Sequence, residues 1–180
     1  MKVCLDIQSA LAQRAGVGRY TRMLAEHLAA TRGTDELALF YFDFKRTGCD
    51  FAPPGASQRA VRWLPGRIAQ GAWKTIGFPP FDCFAGSADV FHFPNFIRPP
   101  LRRGASAVTI HDAALLRFPD TIEAGNYRYL SRHIRDTVAR ADAIICVSAF
   151  TAAELAELLH APPERLRVIP SGLPRSEEHT

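Results

Sequence analysis

Short apolar runs alternate with longer stretches of helical period along most of this chain. Val3–Ile7 is a compact apolar run that predicts a strand. Gln8–Ala15 reads as a loop, and Gly16-Val17-Gly18 leads into a helix from about Arg19 to Thr31, on which Tyr20, Met23, Leu24 and Leu28 share one face. Arg32-Gly33-Thr34-Asp35 breaks it. Glu36–Phe42 is aliphatic and aromatic throughout, as expected of a strand covered on both faces.

The alternation continues. Thr47–Ser57 reads as loop from its Gly and Pro content, Ala60–Leu64 as a third strand, and Gly66–Thr75 as a helix entered through Pro65. Phe78-Pro79-Pro80 is a break. Asp89–Phe93 predicts a fourth strand closed by Pro94-Asn95, and Ala105–Ile110 a fifth that ends at His111-Asp112. Ile122–Ala141 carries Tyr127, Leu130, Ile134 and Val138 at helical spacing. A run at Ala143–Val147, a cap at Ser148, a helix over Phe150–Leu159 and a run at Leu166–Ile169 complete the pattern. Strands alternating with helices predict an α/β fold, a Rossmann-like parallel sheet with helices on both faces and right-handed crossovers.

Composition narrows the function classes. The 180 residues fit one domain, and an apolar content of 47% supports a core. The net charge of +4 comes from 22 basic and 18 acidic residues, with no basic block and no interleaved aromatic stripe, so nucleic acid is not an expected partner. Cys4, Cys49, Cys83 and Cys146 are far apart and form neither a metal-ligand spacing nor a disulfide framework. Met1–Asp6 enters a strand without a leader, and no apolar run reaches the ~18 residues of a spanning helix. A cytoplasmic location follows as the expectation.

In an open parallel sheet, ligands bind beyond the carboxyl ends of the strands, so polar and glycine residues at those ends are the candidates. Gly16, Gly18 and Arg19 precede a helix, where backbone N–H groups and the helix dipole suit a diphosphate. The spacing is not a GxGxxG fingerprint, which disfavours a dinucleotide oxidoreductase even with Asp43 after the second strand. His92 sits within an apolar strand, where a core role competes with a functional one, and Asn95 follows that strand as a hydroxyl binder. His111 and Asp112 form the strongest pair, able to orient a sugar or stabilise charge, against a plain turn-capping role. Ser148 is first a helix cap and second a hydroxyl contact. Arg67 and Lys74 lie near Ile68, Trp73, Ile76 and Phe78, which leaves a membrane-surface contact open, although packing of Trp73 into the domain is favoured. The arginines of the long helix (Arg128, Arg132, Arg135 and Arg140) read as a solvated face.

Four segments then carry a resemblance: Gly16-Val17-Gly18-Arg19-Tyr20-Thr21-Arg22, Val108-Thr109-Ile110-His111-Asp112-Ala113, Ala141–Thr151 and Glu164–Gly172. Together, and in this order, they resemble the N-terminal half of family 4 (group 1) glycosyltransferases, retaining GT-B enzymes with two Rossmann-like domains facing across a cleft. The resemblance implies an acceptor-side domain over residues 1–173, a linker beginning at 174–180, and a donor-binding domain outside this chain. It implies that Gly16, Gly18 and Arg19 approach the diphosphate of a nucleotide sugar, that His111 with Asp112 lies by the transferred sugar, and that His92 and Asn95 line the acceptor side. A glycan or lipid-linked acceptor is implied, with no metal or other cofactor. Ser171 and Ala149 depart from the family pattern, which usually has Asn and a polar residue at these places. The isolated chain is accordingly expected to lack transferase activity; a stand-alone binding module is the competing expectation.

Overall fold

The computed structural model describes residues 1–121 and 123–172. Seven strands, β1 (Lys2–Asp6), β2 (Glu36–Phe42), β3 (Ala56–Val61), β4 (Val90–Phe93), β5 (Ala105–Ile110), β6 (Ala143–Cys146) and β7 (Leu166–Val168), form one parallel sheet in the order β3-β2-β1-β4-β5-β6-β7. The helices are α1 (Gln8–Ala12), α2 (Val17–Thr31), α3 (Gly66–Thr75), α4 (Asp82–Ala85), α5 (Ala114–Arg117), α6 (Ala124–Arg140) and α7 (Ala149–Leu159). The fold is a Rossmann-like α/β sheet. Its strand order reverses between β1 and β4, which creates a crevice at their carboxyl ends.

Side chains alternate across a strand, so the sheet has two cores. Leu5, Ile7, Leu37, Leu39 and Tyr41 pack with Ala10, Ala25 and Ala29 of α1 and α2. Cys4, Ala38, Phe40, Phe91, Phe93, Val108 and Ile144 pack with Phe81, Ile134, Val138 and Leu155 on the other side. Burial on both faces explains why β2 is apolar without alternation. Register carries the same parity to the site: Leu5 pairs with His92 and His92 with Ala107, so His92 and Thr109 face the α2 layer.

The structure departs from the expected elements at the weakest signals. Gln8–Ala12, expected as loop, forms α1, which is too short to show a helical period and has no side-chain cap. The third strand runs over Ala56–Val61 rather than Ala60–Leu64. It is an outer strand paired to β2 alone, so exposed Ser57, Gln58 and Arg59 occupy it without an apolar signature. The long helix begins at Ala124; Ile122, its expected start, lies outside the described residues, as do residues 173–180 with the expected linker. Trp73 is packed inward as favoured, its rings meeting Phe42, Phe81 and Phe84 while Nε1 donates to the Pro79 carbonyl at 2.6 Å.

Candidate active site

Three strand ends converge beyond the sheet. β4 ends at Phe93 and is followed by buried Pro94, β5 is followed by His111, and β6 leads through Val147 to Ser148 at the start of α7. The first turn of α2 closes over them with Tyr20. The Tyr20 ring stands edge-on to the His111 ring with centroids 4.8 Å apart. Its hydroxyl lies 3.3 Å from Thr109 Oγ1, which is in turn 2.9 Å from His92 Nε2. Neither Tyr20 nor Thr109 stands out in sequence: one is an apolar-face residue of a helix and the other one of two hydroxyl residues in a short, largely apolar strand.

His111 is fixed from three sides. Its Nε2 is 3.0 Å from the Pro94 carbonyl, which can only accept, so Nε2 carries the proton in the neutral ring. Its own carbonyl accepts from Thr151 Oγ1 at 3.2 Å, and its ring rests against Tyr20. Nδ1 has no hydrogen-bond partner among the described residues and keeps its lone pair in the neutral ring. A half-buried imidazole with one committed and one free nitrogen can accept a hydrogen bond from a sugar hydroxyl, or carry positive charge beside a leaving phosphate.

The other candidates take less direct places. His92 is 7% exposed and lies behind the edge, touching it through Thr109 and Tyr20. Burial pushes its imidazole down to about 4 from the ordinary 6.5, so the ring is neutral. Asp112 is exposed and its Oδ1 accepts from the Ala114 N–H at 3.0 Å, the turn-capping geometry. Asn95 Oδ1 accepts from the neighbouring Phe96 N–H, and Ser148 Oγ accepts from the Thr151 N–H while lying 2.9 Å from Thr151 Oγ1. Ser148 thus both caps α7 and steadies the hydroxyl that holds His111. The segment carrying Asn95 is anchored by Arg98, whose Nε donates to Ser106 Oγ and whose N–H donates to Thr137 Oγ1.

The two glycines have different work. Gly16 caps α2 in a left-handed conformation (φ 56°, ψ −127°), is exposed, and would leave a Cβ in open space. Gly18 is buried: a Cβ there would stand 1.9 Å from the Gln13 carbonyl oxygen, and its N–H already donates to the Ala15 carbonyl. The free donors of this helix start are therefore the N–H groups of Val17 and Arg19, beside the exposed Arg19 side chain.

Asp6, which no motif singled out, ends β1 at the crevice. It is partly buried on the face opposite His92, and loss of hydration raises its carboxyl to about 6 against the counter-effect of the Gln8 N–H. The two shifts act oppositely in one pH window. His92 titrates below its unfolded value, so the unfolded chain takes the proton first and stability falls as pH drops from 6.5 towards 4. Asp6 titrates above its unfolded 3.8, so its contribution is present at low pH and lost as pH rises through 6. Comparison with His92→Gln removes the Asp6 effect. The stability difference between the natural chain and this variant should shift by roughly 3 kcal/mol against the natural chain between pH 6.5 and pH 4, read by urea unfolding. A difference that stays flat would show that His92 is not a buried neutral ring.

A family model described as Glycosyltransferase Family 4 matches residues 14–177, from the approach to the α2 glycines to beyond β7. The chain belongs to glycosyltransferase family 4. It is also similar to the O-antigen chain mannosyltransferase B of Escherichia coli, with 23% identity over 183 residues. That match covers 92% of this chain and 46% of the relative, so the chain spans about half the length of the curated relative it matches. No helix among the described residues is long and apolar enough to cross a membrane.

Proposed function

We propose that this chain is the acceptor-side half of a retaining transferase that moves a hexosyl group, mannosyl by analogy with its relative's name, from a nucleotide sugar to a glycan or lipid-linked acceptor. The observation that carries the reading is His111, held by Pro94, Tyr20 and Thr151 with Nδ1 free at the sheet edge. In the reaction the C1–O bond to the diphosphate breaks with its electron pair going to phosphate, and the acceptor oxygen bonds to C1 as its proton passes to the departing diphosphate oxygen. The Val17 and Arg19 N–H groups, the α2 dipole and the Arg19 guanidinium suit the developing negative charge, so no metal is needed. His111 orients the sugar. A second domain, beyond these residues, supplies the nucleotide pocket.

The test is a screen of the full-length protein with nucleotide sugars and saccharide or prenyl-linked acceptors, read as nucleoside diphosphate released with retained anomeric configuration. Inverted product would remove the retaining mechanism, and no release with any pair would remove the transferase reading.

The exposed side of α3 supports a peripheral membrane contact. Arg67, Ile68 and Lys74 lie on it, and Ile76 and Phe78 stand out in the turn that follows. Flotation with vesicles containing phosphatidylglycerol should carry the protein upward, and replacement of Ile76 and Phe78 by Ser should abolish this. Equal flotation of the variant would exclude this face.

A further inference from the structure

A cavity of about 430 Å³ lies outside the carboxyl ends of β1 and β2, away from His111, between the turn after β2 and the start of α3. Gln8, Asp43, Phe44, Lys45, Gly66 and Arg67 are among the residues that line it. Its charge is unbalanced. Asp43 is its one carboxylate, and that carboxylate is already occupied: Oδ2 accepts from Arg62 Nε at 3.2 Å, and both oxygens lie within 3.3 Å of the Gly48 N–H. Burial alone would raise the Asp43 carboxyl, but these bonds outweigh it and hold it below the usual range, so it stays ionised and paired with Arg62. Lys45 and Arg67 are both exposed and neither forms an ion pair with a described residue. Two cations are left over.

The turn that presents Lys45 is under strain. The Arg46 N–H closes it on the Asp43 carbonyl at 2.9 Å, and Arg46 itself is left-handed at φ 57°, which costs a non-glycine residue about 1–2 kcal/mol. Phe44 is 54% exposed and lines the cavity, an apolar surface open to a ligand. On the floor, Gln8 Oε1 accepts from the Phe42 N–H at 2.8 Å, and its amide Nε2 has no acceptor among the described residues. The cavity therefore offers two unpaired cations, an amide donor and one exposed aromatic face, and no free carboxylate. A saccharide carrying a phosphate matches this set: the anion meets the cations, and a sugar ring has apolar C–H faces and hydroxyls for the rest.

We propose that this cavity binds a phosphate-bearing sugar. Its role as an acceptor subsite rests on the transferase reading above, whereas the binding itself does not.

The probes are mannose 1-phosphate, methyl α-mannoside and inorganic phosphate, titrated into this chain and followed by amide and side-chain NMR signals. Mannose 1-phosphate should bind at least about tenfold tighter than either of the others, a difference of about 1.4 kcal/mol. The shifts should centre on Gln8, Lys45 and Arg67. The double variant Lys45→Gln, Arg67→Gln alters two exposed side chains and should keep the fold while weakening binding at least tenfold. Unchanged affinity in that variant, inorganic phosphate binding as tightly as the sugar phosphate, or shifts centred on Gly16 and His111 would each overturn the proposal. The same mannose phosphate joined to a short prenyl chain in detergent micelles separates the sources: tighter binding than the soluble sugar marks a lipid-linked ligand and equal binding a soluble one, and both uphold the site. Saturable binding here in a full-length protein that transfers no sugar would sink the transferase reading and leave this site standing. Transfer unaffected by the double variant would remove the acceptor role from this cavity and leave the transferase reading standing.

Discussion

Replacing His111 with alanine in the full-length protein is expected to lower kcat by about 10²- to 10³-fold, the usual cost of removing one group that stabilises or orients the reacting centre. The ring is only half-buried and its bond to Pro94 is made from one nitrogen, so the fold should survive its loss. His111→Gln separates two ways the ring can act. The Gln amide can keep a donor towards Pro94 at the place of Nε2 while losing the free ring nitrogen Nδ1, so a variant that folds normally and still turns over slowly assigns the loss to Nδ1. Stability measured alongside kcat makes the result decisive. Near-natural turnover in a folded His111→Ala protein would take His111 out of the reaction centre.

Gly18→Ala should cost about 3 kcal/mol or more, at the severe end for an overpacked site. The added Cβ would stand 1.9 Å from the Gln13 carbonyl oxygen and 2.8 Å from that of Ser9, and both are backbone atoms that cannot rotate away. α1 would have to lift from α2. With total stabilities of roughly 5–15 kcal/mol, that loss removes much of the margin of the folded state. Gly16→Ala is the contrast: it meets nothing within 4 Å and pays only for its left-handed backbone, about 1–3 kcal/mol. Chemical denaturation of the two variants should rank them in that order. The folded Gly16 variant should then show a raised donor KM in the full-length protein, since its methyl group projects where a diphosphate would approach the α2 N–H groups. Equal stability losses would contradict the helix contact at Gly18, and an unaltered donor KM would separate the glycine turn from the diphosphate.

The two glycines show how much of the site was legible. In sequence they form one Gly-x-Gly signal before a helix, and both read as anion-binding. In the fold one is open and the other is a packing requirement, because α1, invisible in the pattern, runs against the buried one. The histidines divide in the same way. His111 falls at a strand end and is found at the edge. His92 lies only one residue inside the end of β4, yet register turns it towards α2 and buries it behind Thr109. The hydroxyls that complete the arrangement, from Tyr20 and Thr109, come from elements 89 residues apart, and nothing local marks them.

Hydrophobic period and strand-end chemistry were enough to determine the parallel α/β class, most element positions and the place of His111 at a strand end, while the family entered through the resemblance of four motif segments. These are local properties: each run of side chains must bury its apolar face whatever lies next to it. The partners were decided only by tertiary structure. Strand order, register and the contact of α1 with α2 set which nitrogen of His111 is free, which glycine is open and which carboxylate is already paired. Such choices depend on atoms brought within about 3 Å of one another from distant parts of the chain, a separation that hydrogen bonding requires and that sequence spacing does not encode.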